Sequence, residues 1–355
     1  MIIITSLLCN QKCPYCFFYK TNSLYTKNYL NIKDFSTKIN KILEKIYEKD
    51  NFYDIRFFWA EQLLNDDIDN LIYNIISKLN KNKKINIYLN TNLTVNIWKL
   101  ESIINKLSEL SNNWYNINFE IIITFSSLEQ YFMDLRWINI NNYIKLLSNV
   151  KYLSNLKNRS NNINNLSINI INNYVIDIKK ILKYEITNND IIKDIETIKK
   201  MINIKYFNIL PLAYNYIWED KEIKHFEQIL KKIKEYNNKN KILANPNEYF
   251  EQYIDVNNKY YVPLYPWNVI VDFYWNISYN LVNYEDFWLL NFNIDNINNL
   301  DLNKDNIDIL NIDLNNKHIP KQYEFIINKL DNKFWNDLLN NTDRVYKLSN
   351  KILYN

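Results

Sequence analysis

Cys9-Asn10-Gln11-Lys12-Cys13-Pro14-Tyr15-Cys16 holds every cysteine of a 355-residue chain. The spacing is C-x3-C-x2-C, with an aromatic residue before the last thiol, and it follows an apolar run, Ile2-Ile3-Ile4-Thr5-Ser6-Leu7-Leu8, that reads as a strand. A chain that places its whole thiol supply on one loop is not using it for packing. Three thiolates on a short loop can hold three irons of a [4Fe–4S] cube and leave the fourth iron open to a substrate or cofactor ligand. Zinc would need a fourth ligand at close spacing, and the only histidines, His225 and His318, are far away in sequence. A disulfide scaffold conflicts with the odd cysteine count, the length of the chain and the lack of a signal-peptide pattern ahead of the motif.

Outward from that loop, short β-branched or aromatic runs alternate with longer amphipathic segments, which is the pattern of βα units. Strands are expected at 2–8, 54–58, 85–89, 117–125, 166–171 and 206–211. Helices are expected at 31–48, 66–80, 97–110, 140–156, 189–202 and 219–236. The helix over 31–48 carries Phe35, Ile39, Ile42, Leu43 and Ile46 on one face.

The cysteine loop resembles the cluster loop of the radical S-adenosylmethionine (SAM) superfamily. The resemblance implies an α/β fold, a partial (β/α)6 TIM-like barrel over residues 1–215, with a smaller α+β extension over 216–355. It implies one [4Fe–4S] cluster and SAM as cofactors, with Cys9, Cys13 and Cys16 as cluster ligands and Tyr15 packed against the cluster or the adenine. In that family, SAM chelates the open iron and is reductively cleaved to a 5′-deoxyadenosyl radical. The segment Trp59-Ala60-Glu61 resembles the strand-2 motif G-G-E, whose backbone binds the SAM amino group. Asn92 matches the asparagine of the strand-3 Thr-Asn-Gly segment, with Leu93 where glycine is usual. Thr124 and Ser126 occupy the place of a Ser-x-Asp after strand 4. Arg136 lies 12 residues beyond Thr124, the offset of an arginine that pairs with the SAM carboxylate, for which a guanidinium fork is suited. Asn169 and Asn172 are further candidates for adenosine contact. The bland alternatives are a strand-end solvent charge for Glu61 and a solvated arginine at a helix start for Arg136. The chain departs from the family where Ser126-Ser127 replaces Asp-Gly and Phe132-Met133 replaces a His-Asp pair.

There is no glycine, where average usage predicts about 25. Glycine is the default residue wherever φ must be positive or backbone must approach a ligand closely. Tryptophan occurs 9 times, and several copies stand where the family pattern has glycine. These are Trp59, Trp137 in Arg136-Trp137, Trp267, Trp275 in Asp272-Phe273-Tyr274-Trp275-Asn276, and Trp288. The reading is that UGA, translated here as tryptophan, encodes glycine in the source. An Asn-, Ile-, Lys- and Tyr-rich composition is that of a very AT-rich genome. The rival reading is that all nine are genuine indoles. Trp98, Trp114, Trp218 and Trp335 match no glycine motif and are the best candidates for true tryptophan.

The region beyond 216 is less regular. Val269–Asp272 and Ile277–Tyr279 read as two short strands around a turn and resemble the C-terminal SPASM region of peptide-modifying radical SAM enzymes, without its auxiliary-cluster cysteines. The resemblance implies a peptide or protein side chain as substrate and a flavodoxin- or ferredoxin-type electron donor. A small-molecule substrate is the runner-up. From another class, the rival is a non-catalytic iron–sulfur paralogue whose Trp59 blocks SAM. Net charge is +4 with no dense basic stripe, so nucleic acid is not expected as a partner. No window of 18 uncharged apolar residues exists, so no membrane span is expected. Cluster-bound thiols imply a reducing, cytoplasmic and anaerobic setting.

Overall fold

The structure, a computed structural model, describes residues 1–3, 5, 9–13, 32–57, 61–95, 97–160, 165–212 and 217–243. Beyond these it describes the backbone at 253–256, 260–263, 270–271, 276–278 and 292–293, together with 341, 344–345, 347–349 and 351–353. Two compact units emerge. The first comprises Met1–Tyr174, Lys193–Asn208 and Val271–Trp275, and the second comprises Val175–Ile192, Ile209–Ile270 and Asn276–Asn355.

The first unit is built on β1 (Ile2–Ile3), β2 (Phe52–Phe57), β3 (Lys84–Thr91), β4 (Ile117–Ile123) and β5 (Leu166–Ile176). Adjacent strands pair in parallel, β1 with β2, β2 with β3, β3 with β4 and β4 with β5. β6 (Tyr206–Pro211) continues the same order. Between them run α1 (Ile32–Ile46), α2 (Ile68–Ile76), α3 (Trp98–Asn112), α4 (Glu129–Arg136), α5 (Ile140–Ser160) and α7 (Asn188–Met201), while α6 (Ile178–Lys183) falls in the second unit. Parallel strands in consecutive order, joined by helical crossovers, form the α/β arrangement of an incomplete (β/α) barrel.

The register explains why these residues make this sheet. Ile55, Ile87, Phe119 and Ile168 lie side by side across four strands, all buried. One residue along, Arg56, Tyr88, Glu120 and Asn169 form a polar row on the opposite face. Side-chain contacts run along that row. Arg56 stacks 4.8 Å from the Tyr88 ring centre, and Lys205 Nζ reaches Glu120 at 3.3 Å. A side-chain period of two therefore separates an apolar face from a polar one. In α1, Phe35, Ile39, Ile42 and Leu43 are buried as the helical period requires.

Three details differ from the sequence reading. β5 runs five residues further, to Ile176, because Asn172 and Asn173 sit inside the strand with their side chains paired to Phe125 and Asn208. α4 was not expected, and Arg136 is its last residue, not a helix start. α6 is a further short helix, opened by the Asp177 carboxylate accepting the Lys180 N–H at 3.2 Å.

The ends of α3 and α4 share one feature. α4 terminates on Trp137 at φ 52° and ψ 44°, with the N–H groups of Trp137 and Ile138 both turned to the Met133 carbonyl. α3 is followed by Trp114 at φ 73°, whose N–H donates to Ser111 while Tyr115 donates to Leu110. Both tryptophans occupy the left-handed region in which helices end on glycine. Both residues are exposed, 81% at Trp114 and 62% at Trp137.

The second unit contains α8 (Asp220–Asn240), opened by a capping box between Glu219 and Glu222. Trp218 precedes it, buried, with its indole N–H on the Leu212 carbonyl at 3.1 Å and its ring edge-on to Phe226 at 5.0 Å. β7 (Tyr253–Val256) and β8 (Tyr260–Pro263) pair antiparallel, as do β10 (Asn276–Ser278) and β11 (Phe292–Asn293). β9 (Ile270–Val271) and β10 fall on the two short strands expected at 269–272 and 277–279. Among the described residues, no helix is long and apolar enough to cross a membrane.

Candidate active site

Polar side chains gather at the C-terminal ends of the parallel strands, one set past β1 to β3 and a second past β4 beside β5. Glu61 lies four residues past the end of β2 and is fully buried. Its carboxylate accepts the backbone N–H of Asn92 at 2.5 Å, the Thr91 hydroxyl at 2.9 Å and the Leu63 N–H at 3.3 Å. Thr91 Oγ1 itself accepts from the Leu93 N–H, so its proton points to Glu61. Burial pushes the Glu61 carboxyl up to about 7, while its three hydrogen bonds and the Arg136 charge pull the other way. Glu61 is thus a buried strut between the ends of β2 and β3, not a solvent charge at a strand end.

Asn92 extends that strut to the cysteine loop. Its Nδ2 donates to Asn10 Oδ1 at 2.8 Å and to Cys9 Sγ at 3.8 Å. Its Oδ1 accepts the Thr94 N–H at 2.9 Å and the Thr94 hydroxyl at 2.7 Å. Thr94 Oγ1 in turn accepts from Asn10 Nδ2 at 2.8 Å and from Gln11 Nε2 at 3.3 Å. Because both Thr94 groups are donors toward Asn92, the Asn92 carbonyl must face Thr94 and its amino group must face Cys9. Leu93, between them, sits at φ 56°, the conformation for which the family uses glycine. The chain behind the loop is tied in the same way, with Thr5 Oγ1 donating to Gln62 Oε1 at 2.5 Å.

Past β4, Thr124 is half-buried and Ser126 is buried. The Ser126 hydroxyl donates to Asp194 at 2.6 Å, Ser127 donates to it through both N–H and hydroxyl, and Tyr174 donates at 2.7 Å. Burial raises the Asp194 carboxyl above its usual range despite these bonds. Asn172 is fully buried, and its amide pairs with both the N–H and the carbonyl of Phe125 at 2.9 Å, so it serves as an extra strand rung. Arg136 is buried, with its guanidinium 5.9 Å from the Phe132 ring centre, and its charge reaches Glu61. Phe132 stacks edge-on to Phe125 at 5.7 Å, so an aromatic base underlies the arginine.

Of the residues expected from sequence, the structure brings Cys9, Cys13, Glu61, Asn92 and Arg136 into one connected region, with Ser126 on its β4 side. Tyr15, Cys16, Trp59 and Ala60 lie outside the described residues. Asn10, Gln11, Thr94, Asp194 and Tyr174 were not anticipated. The Asn92-Leu93-Thr94 triplet does carry a signal, since an asparagine accepting from the N–H two residues on is a common turn. Asp194 carries none, because it arrives from 68 residues beyond Ser126.

Cys9 is a half-buried thiol and Cys13 a buried one, its Sγ 3.5 Å from Gln11 Oε1. Among the described residues no carboxylate or imidazole joins them in a metal-sized group. Two soft thiols with a third cysteine in the same loop form the donor set of an iron–sulfur cluster and not of a hard cation. The residues present fit the [4Fe–4S] cluster and SAM that radical SAM domains use.

Residues 3–122 match the family model described as the radical SAM superfamily. No curated protein matches the chain. Among solved structures, native anSMEcpe with bound AdoMet superposes with a TM-score of 0.56 at 14% identity, covering 100% of this chain and 97% of that one. A hexahistidine-tagged form of anSMEcpe with AdoMet gives 0.57 at 14% identity over 99% and 93%. Native anSMEcpe with AdoMet and the Cp18Cys peptide gives 0.56 at 14% identity over 99% and 96%. At such identities the likeness is one of fold, and it agrees with the parallel sheet described above. The family match over residues 3–122, the cysteine loop and the strand-end constellation agree: this part of the chain is similar to the radical SAM superfamily.

Proposed function

We propose that this chain is a radical SAM enzyme acting on a peptide or protein side chain. The observation that carries the reading is the fastening of the cysteine loop to the end of β3 through Asn92 and Thr94, with Glu61 buried beneath. When bound, the cluster and SAM supply reductive formation of a 5′-deoxyadenosyl radical that abstracts hydrogen from the substrate.

The chain's own residues bind and orient. Cys9, Cys13 and Cys16 hold the cluster. The backbone of 59–61 meets the SAM amino group, and Arg136, stacked on Phe132, meets its carboxylate. Thr124 and Ser126 stand at the β4 end as further SAM contacts, and Tyr15 packs on the cluster or adenine. Residues 1–215 act as the barrel and 216–355 as a SPASM-like extension without auxiliary clusters, so each chain holds one cluster. Short strands β9 and β10 support that assignment. So does the coverage of the anSMEcpe likeness, which runs over the whole chain and includes a form holding a peptide. A flavodoxin- or ferredoxin-type donor in a reducing cytoplasm completes the scheme.

The test is anaerobic reconstitution, dithionite reduction and an assay for 5′-deoxyadenosine, followed by peptide substrates drawn from precursors encoded beside the gene. Formation of 5′-deoxyadenosine with deuterium transferred from a labelled peptide supports the reading. Turnover confined to small molecules moves it to the runner-up class.

A further inference from the structure

We propose that Asn92 is a positioning residue for Cys9 that sets the electron affinity of the cluster, rather than a contact to SAM. The proposal rests on Cys9 being a cluster ligand. Asn92 has two N–H bonds and two carbonyl lone pairs, and all four are engaged, by Asn10, Cys9 and twice by Thr94. Nothing is left over for SAM. Its amide cannot flip, because the Thr94 N–H and hydroxyl both donate to its oxygen. Its backbone is pinned as well, by the N–H bond to Glu61. The side chain is buried, so the N–H···S contact is weakly screened by water. An N–H aimed at a cluster thiolate stabilises the more negative, reduced state and raises the potential.

The test is a redox titration of reconstituted protein without SAM, followed by EPR, on the wild type and on Asn92→Asp, Asn92→Ala and Thr94→Val. Asn92→Asp keeps the acceptor toward Thr94 and replaces the donor at Cys9 with a negatively charged oxygen, so its midpoint should shift furthest negative. Asn92→Ala should shift less. Thr94→Val leaves Asn92 in place but removes the hydroxyl that locks its amide, so a smaller negative shift is expected even if both Asn92 variants fail to fold. Unchanged midpoints in variants that retain iron would overturn the proposal and leave the radical SAM reading intact. A wild type that takes up no iron would instead remove the reading on which it rests.

A separate observation carries a second inference: the structure assigns glycine to positions 114 and 137 in the protein as its source makes it. Two of the four described tryptophans sit at positive φ immediately past a helix, with their indoles in solvent. A bulky residue is strained there, glycine is not, and an exposed indole gains nothing by packing. Trp218 is the contrast, buried and hydrogen-bonded through its ring. This moves Trp114 out of the group expected to be true tryptophan. Codons and peptide masses from the source organism decide the matter. UGA codons at 114 and 137 with glycine masses are expected, beside UGG at 218. UGG codons or tryptophan masses at 114 and 137 would overturn it.

Discussion

The Asn92 backbone donates to Glu61 at 2.5 Å while its side chain donates to Cys9 Sγ, so one residue couples a buried carboxylate to a thiol of the cysteine loop. The ends of β2 and β3 and the loop after β1 are therefore tied together, and perturbing Glu61 should be felt at the loop.

Replacing Glu61 by Gln sets an amino group against one of three N–H or O–H donors. The expected cost is about 1–3 kcal/mol, read by urea unfolding at pH 5. The pH dependence follows from a folded-state carboxyl pushed up to about 7, above its usual value. The folded protein then holds this proton more tightly than the unfolded chain. Its contribution to stability is full below the ordinary carboxylate range and is lost as pH rises through about 7. The advantage of the wild type over Glu61→Gln should accordingly shrink between pH 5 and pH 7.5. A constant difference across that window would contradict the assignment.

Asp194 gathers Ser126, Ser127 and Tyr174 beneath the β4 end. Asp194→Asn leaves at least one of these donors facing an amino group and should lower stability by about 1–3 kcal/mol. Ser126→Ala removes the hydroxyl bond to Asp194 and the acceptor for the Leu128 N–H, and should cost about 1 kcal/mol. Guanidinium unfolding of both variants checks the order.

Trp114→Gly and Trp137→Gly should each stabilise the protein by about 1 kcal/mol, since they relieve a left-handed backbone without losing packing. Trp218→Gly should destabilise it by roughly 3–5 kcal/mol through a core cavity and a lost ring hydrogen bond. Thermal unfolding of the three variants should show opposite signs. The same sign for all three would contradict the division between exposed and buried indoles.

With Arg136 meeting the SAM carboxylate as proposed, Arg136→Ala should weaken SAM binding by roughly tenfold with cluster content unchanged, through loss of a charge-assisted pair. Equilibrium binding under anaerobic conditions reads this. An unchanged affinity would place Arg136 with Glu61 as a purely structural charge.

Much of this was readable before any coordinates. The alternation of β-branched runs with amphipathic segments located every strand from β2 to β6, because burial period and secondary-structure period coincide there. The cysteine loop and Glu61 stood out as residue types in unusual company. α4 was hidden because Glu129–Arg136 mixes polar and apolar residues around a short helix, and this concealed that Arg136 is buried at its end. The Asn172–Phe125 rung and the reach of Asp194 to Ser126 depend on strand register and on chain separated by tens of residues. No local pattern encodes such contacts. Leu93 and Trp137 were legible as places where the family pattern has glycine, whereas Trp114 gave no signal until its φ angle showed what the backbone asks of it.

The most direct test of the central reading is the dithionite-reduced, anaerobically reconstituted protein incubated with SAM, followed by chromatography for 5′-deoxyadenosine and methionine. The wild type should form both in equal amounts, and a variant with Cys9, Cys13 and Cys16 all changed to alanine should form neither. Iron-loaded wild type that leaves SAM intact, or equal product from the alanine variant, would contradict it.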